Sequence, residues 1–417
     1  MPNYINVNTV NLNSNIFANN QTVVNVDLRN TAWTNNSMYD AFHGCTNLQS
    51  VNNINNNVTN MSQTFFNCEN LANVPAIPNS ITRMYRTFMR CSNLANAPII
   101  PNSVTNMFQT FYSCTNLVNV PAIPNSVTDM YETFLDCTSL VNVPIIPNSV
   151  TNMFFTFMRC TNLINAPVIP NSVIDASGLL TNCSQLFSPE KYPEIPQSVQ
   201  KFDSMFNGMS TNTETDVPQW CLDKWNSCSA NVKTSMAGMF QYWKALVNAP
   251  TIPNSVTNMY STFFGCINLV NAPEIPNSVT NMGFTFRNCH NIINAPGIPD
   301  SVIDMRQTFR DCTNLTGNVY IHSNQITNAT NCFASTVLTK NVYIPFTYEN
   351  GTNTATYNSF INAGYDENGT KDEVYLKDLN TPVIVDYEYT TLDSGKVDLT
   401  KYIGAGGAIV TPLEIEE

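Results

Sequence analysis

Apolar and polar positions along this chain follow one pattern that returns every 23 residues. In one unit the apolar places are Val104, Met107, Phe111, Cys114, Leu117, Val120 and Ile123; the next unit fills them with Val127, Met130, Phe134, Cys137, Leu140, Val143 and Ile146. Steps of three and four from Val104 to Cys114 predict a short helical turn, and the proline-bounded segment through Val120 and Ile123 predicts a short strand. A single unit has too little partner surface to bury its apolar side, whereas copies stacked on one another can. The pattern therefore predicts a repeat solenoid in which each coil adds one short parallel strand plus one short helical turn.

The phenylalanine place sets the register: Phe42, Phe65, Phe88, Phe111, Phe134, Phe157, then Leu180, Phe206, Phe240, Phe263, Phe286, Phe309 and Phe333, about thirteen coils. At the spacing of paired strands the array would be roughly 60 Å long. Cysteine follows the same beat at Cys45, Cys68, Cys91, Cys114, Cys137, Cys160 and Cys183, and again at Cys266, Cys289 and Cys312. An odd total of 13, one per repeat, with no CxxC pairs and no histidine at ligand spacing, argues against a disulfide framework and against zinc. Met209, Trp243 and Thr336 stand in the cysteine place of three coils, which points to a buried slot that needs bulk rather than thiol chemistry. Phe88, Phe111, Phe134 and Phe157 with Cys91, Cys114, Cys137 and Cys160 are thus the predicted core ladder.

Units such as "SVTNMYSTFFGCINLVNAPEIP" at 255–276 resemble the BspA-like, cysteine-containing leucine-rich repeats of bacterial surface proteins, over about residues 35–340. The chain departs from the commoner pattern by one extra residue in the "VPAIP" segment and one fewer before the Phe, so the coil is redistributed rather than lengthened. The resemblance implies a leucine-rich-repeat-like solenoid, surface or adhesion roles, and no catalytic residues in the repeats.

Two asparagine rows, Asn73/Asn96/Asn119/Asn142/Asn165 and Asn79/Asn102/Asn125/Asn148/Asn171, suit stacked amides and a Pro-Asn-Ser turn. A further row follows the Met: Tyr85, Phe108, Tyr131, Phe154 and Tyr260. With Met and Phe inward, these rings lean sideways or outward; they either cover adjacent coils or form an apolar stripe for a partner. Between Phe206 and Phe240 the step grows to 34, and the surplus at about 210–233 holds Trp220, Cys221, Trp225 and Cys228. The two tryptophans either contact a partner or cover the kink between two sub-arrays, and the two cysteines could close a local disulfide if oxidised. Residues 1–34 are expected to form an N-terminal cap, with "TVVNVDL" as a capping strand. Residues 341–380 are expected to form a β-hairpin cap from their Asn-Gly turns, and 381–417 a small β module or linker.

Charged residues are 12% of the 417 and the net charge is −12, which excludes a basic phosphate-binding face and with it nucleic acid as partner. No continuous apolar run is long enough for membrane insertion, and the first residues do not read as a secretory signal. The expected place of work is the cell surface, the extracellular space or a virion, the alternative being cytoplasmic. His43, His290 and His322 stand beside no nucleophile motif, and no catalytic, metal-binding or cofactor-binding residue is predicted. The reading is a non-enzymatic binding protein that presents a rigid surface to a host-cell protein or glycan, or to other virion or surface proteins, as in a phage receptor-binding or decoration protein. The alternative is a structural spacer or assembly scaffold.

Overall fold

The computed structural model describes residues 5–6, 12–28, 31–209, 213–336, 340–347, 352–371, 374–379, 387–391 and 397–402. Strands β1 (Ile5–Asn6), β2 (Asn25–Asp27) and β3 (Ser50–Asn52) form a parallel sheet at one end. Farther along, pairing continues through isolated parallel bridges, as in Asn106↔Asp129, Asp129↔Asn152 and Asn152↔Asp175, with a second row at Asn96↔Asn119 and Asn248↔Asn271. In the first row, where the bridge residue is Asn or Asp, its side chain caps the next turn: Asn106 Oδ1 accepts from the Phe108 N–H at 2.7 Å and Asp129 Oδ1 from that of Tyr131 at 3.0 Å, whereas Arg83 and Lys201 fill the same place without such a cap.

The segment from Met107 to Cys114, expected as a helical turn, is a string of single turns. The N–H groups of Thr110, Tyr112 and Cys114 donate three residues back within the coil. Those of Met107, Gln109, Phe111 and Ser113 donate to the next coil, at Asp129, Tyr131, Thr133 and Leu135, over 2.7–3.0 Å. A continuous helix is ruled out because two residues per coil have positive φ, here Gln109 (φ 52) and Ser113 (φ 57). The same two places recur at Arg86 and Arg90, Glu132 and Asp136, and Phe155 and Arg159. A left-handed residue with a side chain costs about 1–2 kcal/mol; the inter-coil bonds that this backbone permits, about 1 kcal/mol each, offset it. Other bonds run the opposite way, from a coil to the one before: Thr128 N–H to Thr105 O at 2.8 Å and Val118 N–H to Ala95 O at 2.9 Å, while Ala97 N–H donates forward to Asn119 O at 2.9 Å.

Inside, the predicted phenylalanines stack face to face, Phe88–Phe111 at 5.4 Å and Phe111–Phe134 at 5.7 Å between centroids. Phe88, Phe111, Phe134 and Phe157 with Cys91, Cys114, Cys137 and Cys160 are fully buried. The column begins earlier than expected, since Phe17 stacks on Phe42 at 5.0 Å and Asn15 and Asn19 repeat the pair of positive-φ residues.

The hairpin expectation for 341–380 is corrected. Strands β4 (Val319–Tyr320), β5 (Lys340–Ile344) and β6 (Val374–Asp378) are parallel, and an α-helix, Ala355–Asn362, lies between β5 and β6 in the chain. Asn-Gly marks a tight turn but does not say which way the next strand runs; a helical crossover returns it parallel. In the last segment β7 (Tyr387–Thr391) and β8 (Val397–Tyr402) pair antiparallel.

Candidate binding surfaces

Two buried side-chain columns tie successive coils together. The thiols of Cys91, Cys114, Cys137 and Cys160 each donate to the carbonyl of the phenylalanine 26 residues earlier, Phe65, Phe88, Phe111 and Phe134, at 3.0–3.1 Å. A threonine row does the same for the methionine carbonyls: Thr110 Oγ1 to Met84 O, Thr133 to Met107 and Thr156 to Met130, all 2.9 Å. Each of these carbonyls already accepts one N–H within its own turn, so the side chain fills the second lone pair. In most coils the cysteine slot thus supplies a donor as well as bulk, while Met209 supplies bulk alone. Sequence reasoning passed over the threonines, although "TF" recurs in most units. All thirteen cysteines are free and buried, Cys221 and Cys228 included. Burial pushes the thiols of Cys183, Cys228 and Cys332 up to about 12 and the others upward as well.

The tryptophans of the insertion do not form an exposed contact. Helix α1 (Gln219–Asn226) turns Cys221 and Trp225, four residues apart, into the core, and Trp225 is 2% exposed. Trp220 is half-buried among Phe187, Tyr192 and Phe206, with centroids 5.1, 5.9 and 5.7 Å away. They plug the junction because the coils on either side stay in register: Phe206 N–H still donates to Met239 O at 3.1 Å, and the rings of Phe206 and Phe240 stack at 6.3 Å. The surplus chain leaves an apolar gap elsewhere on the circumference, and the indoles fill it. Beside it, Asp203 accepts from Ser235 Oγ at 2.7 Å in a 270 Å³ pocket, its carboxyl pushed up by burial.

Tyr85, Phe108, Tyr131 and Phe154 form an outer column, half-buried, with centroids 4.7–5.0 Å apart. Tyr260 lies farther along, 5.2 Å from Phe284. Neighbouring rings cover the faces within the column, and the Arg86 guanidinium lies 4.7 Å from the Tyr85 centroid. A 440 Å³ groove runs along Tyr85 and Phe108, floored by Met84 and bordered by Arg83 and Asn106.

On the strand side, a second stripe went unpredicted. Ala76, Ile99, Ala122, Ile145 and Val168 occupy one place in five successive coils, all exposed, with Ile99, Ile145 and Val168 at 77%, 81% and 87%. The Asn73–Asn165 row lies beside it, with Asn119 Nδ2 donating to Asn96 Oδ1 at 2.8 Å. The Asn79–Asn171 row is exposed in its turn. Among the described residues no helix is long and apolar enough to cross a membrane, and no three His, Cys, Asp or Glu are grouped to hold a metal.

The sequence matches the model of the BspA type leucine rich repeat region, in 6 copies, over residues 4–107, 86–214 and 236–362. No curated protein matches it. Among solved structures it is similar to a leucine-rich repeat protein from Bacteroides ovatus, at 20% identity and TM-score 0.45, covering 82% of this chain and 86% of that one. It is also similar to a leucine rich cell surface protein from Faecalibacterium prausnitzii, at 19% identity and TM-score 0.45, covering 80% and 82%.

Proposed function

Because this chain belongs to the BspA-type leucine-rich repeat family, we propose that it is a non-enzymatic binding protein, an adhesin that presents its rigid strand side to a protein on a host or neighbouring cell. The observation that supports this reading is the exposed aliphatic stripe Ile99–Ala122–Ile145–Val168, set in a regular lattice that needs none of these side chains for its own core. Apolar side chains left in water in one contiguous row mark an interaction surface. A protein partner is favoured over a glycan, since sugars are held by open ring faces and the rings within the outer aromatic column stack on one another. The surface of a cell or of a virion is the setting proposed.

The test is saturable binding of labelled protein to intact cells, before and after protease treatment of those cells, with a glycan array beside it. Binding that disappears with protease and with an Ile145→Asp/Val168→Asp variant supports the reading. Binding retained in that variant, or confined to glycans, overturns it.

A further inference from the structure

On the turn side, three columns change charge in step. The bridge place runs Arg83, Asn106, Asp129; the first positive-φ place runs Arg86, Gln109, Glu132; the second runs Arg90, Ser113, Asp136. Adjacent members touch: Arg86 Nε donates to Gln109 Oε1, Gln109 Nε2 to Glu132 Oε2, Asn106 Nδ2 to Asp129 Oδ2 at 2.8 Å, and Ser113 Oγ to Asp136 Oδ2 at 3.4 Å. One coil thus carries three arginines, the next is neutral, and the third carries three carboxylates. Arg83 and Arg90 are exposed and have no ion pair among the described residues.

We propose that this face pairs with a second copy of the chain. Consider a twofold axis lying in the interface along the neutral coil 106–113. It reverses the stacking direction and keeps the order within each coil. Arg83 then meets Asp129 of the other copy, Arg86 meets Glu132, and Arg90 meets Asp136, each pair twice. The apolar places obey the same symmetry: Tyr85 meets Tyr131, and Phe108 and Tyr112 each meet themselves. One coil farther out, Asn60, Gln63 and Asn67 meet Asn152, Phe155 and Arg159, so five coils contain no like-charge pair. Such self-complementarity is what an isologous dimer requires. In a chain of net charge −12, three arginines within eight residues, set two coils from three acids at matching places, supply the local attraction. The pairing leaves the aliphatic stripe free and is independent of the adhesin reading.

The experiment is sedimentation of the full chain at tens of micromolar, with two charge variants, Arg86→Glu/Arg90→Glu and Glu132→Lys/Asp136→Lys. Wild type is expected as a dimer, each variant alone as a monomer, and an equimolar mixture as a heterodimer, because in the mixture every facing pair is again opposite. Thermal midpoints check that each variant is folded. Should a double variant unfold, Arg90→Glu mixed with Asp136→Lys reads the same exchange. A monomeric wild type, a dimer that survives in both variants, or a mixture that stays monomeric overturns the proposal.

Discussion

The thiol of Cys137 donates to the carbonyl oxygen of Phe111, 26 residues earlier and 3.1 Å away, although that oxygen already accepts the N–H of Cys114. Sulfur here is a rivet between coils. Cys137→Ala removes both the donor and most of the slot's filling, and is expected to cost about 1–2 kcal/mol. In the folded protein the thirteen thiols should be slow toward an aromatic disulfide reagent, and all should react at once in denaturant.

Alkaline pH should act through the same column. Burial raises these thiols in the folded state, to about 12 for Cys183 and Cys332, whereas an unfolded cysteine titrates at about 8.5. The unfolded state therefore loses protons first. Stability is full below about pH 8.5 and is lost as pH rises from there toward 12. Thermal midpoints should be level from pH 6 to 8 and fall steeply above 9; a flat profile to pH 11 would contradict the burial.

Thr110→Val keeps the shape of the side chain and removes its bond to Met84 O. Met84 O retains only the N–H of Thr87, so a loss of about 1 kcal/mol is expected, read as a lower urea midpoint.

Gly178 has φ +64, and a Cβ there would sit 1.9 Å from the ring of Phe155, one coil earlier. Gly178→Ala should destabilise by about 1–3 kcal/mol. Adding Phe155→Ala should recover the part due to the clash and leave the part due to φ, which a double-mutant cycle separates.

Trp225→Ala should cost about 3–5 kcal/mol of stability while leaving cell binding per folded molecule unchanged. Loss of binding without loss of stability would return the insertion to the list of contact surfaces.

The repeat was legible because burial restricts which residue types can stand at the same place: Phe111 and Cys114 recur in most coils, and at Leu180 and Met209 the replacement is still apolar. The exposed places are legible only in part. At the positive-φ place the chain uses Arg86, Gln109, Glu132 and Phe155, so residue identity gives no hint of the backbone, and steps of three and four read as a helix. Trp220 and Trp225 show the converse limit, since an indole looks the same in sequence whether it plugs a gap or meets a partner. Ile145 and Val168 escaped notice because a proline-bounded apolar run looks like core until the direction of each side chain is known.

The main-chain bonds run forward from Met107, Gln109, Phe111 and Ser113 and backward from Asn116, Val118 and Thr128. Peptide dipoles of opposite sense partly cancel, so the rod gains length without the end charges that a helix accumulates. A bare terminal coil therefore presents donors and acceptors together, as the edge of a sheet does, and would match the opposite terminus of an identical rod.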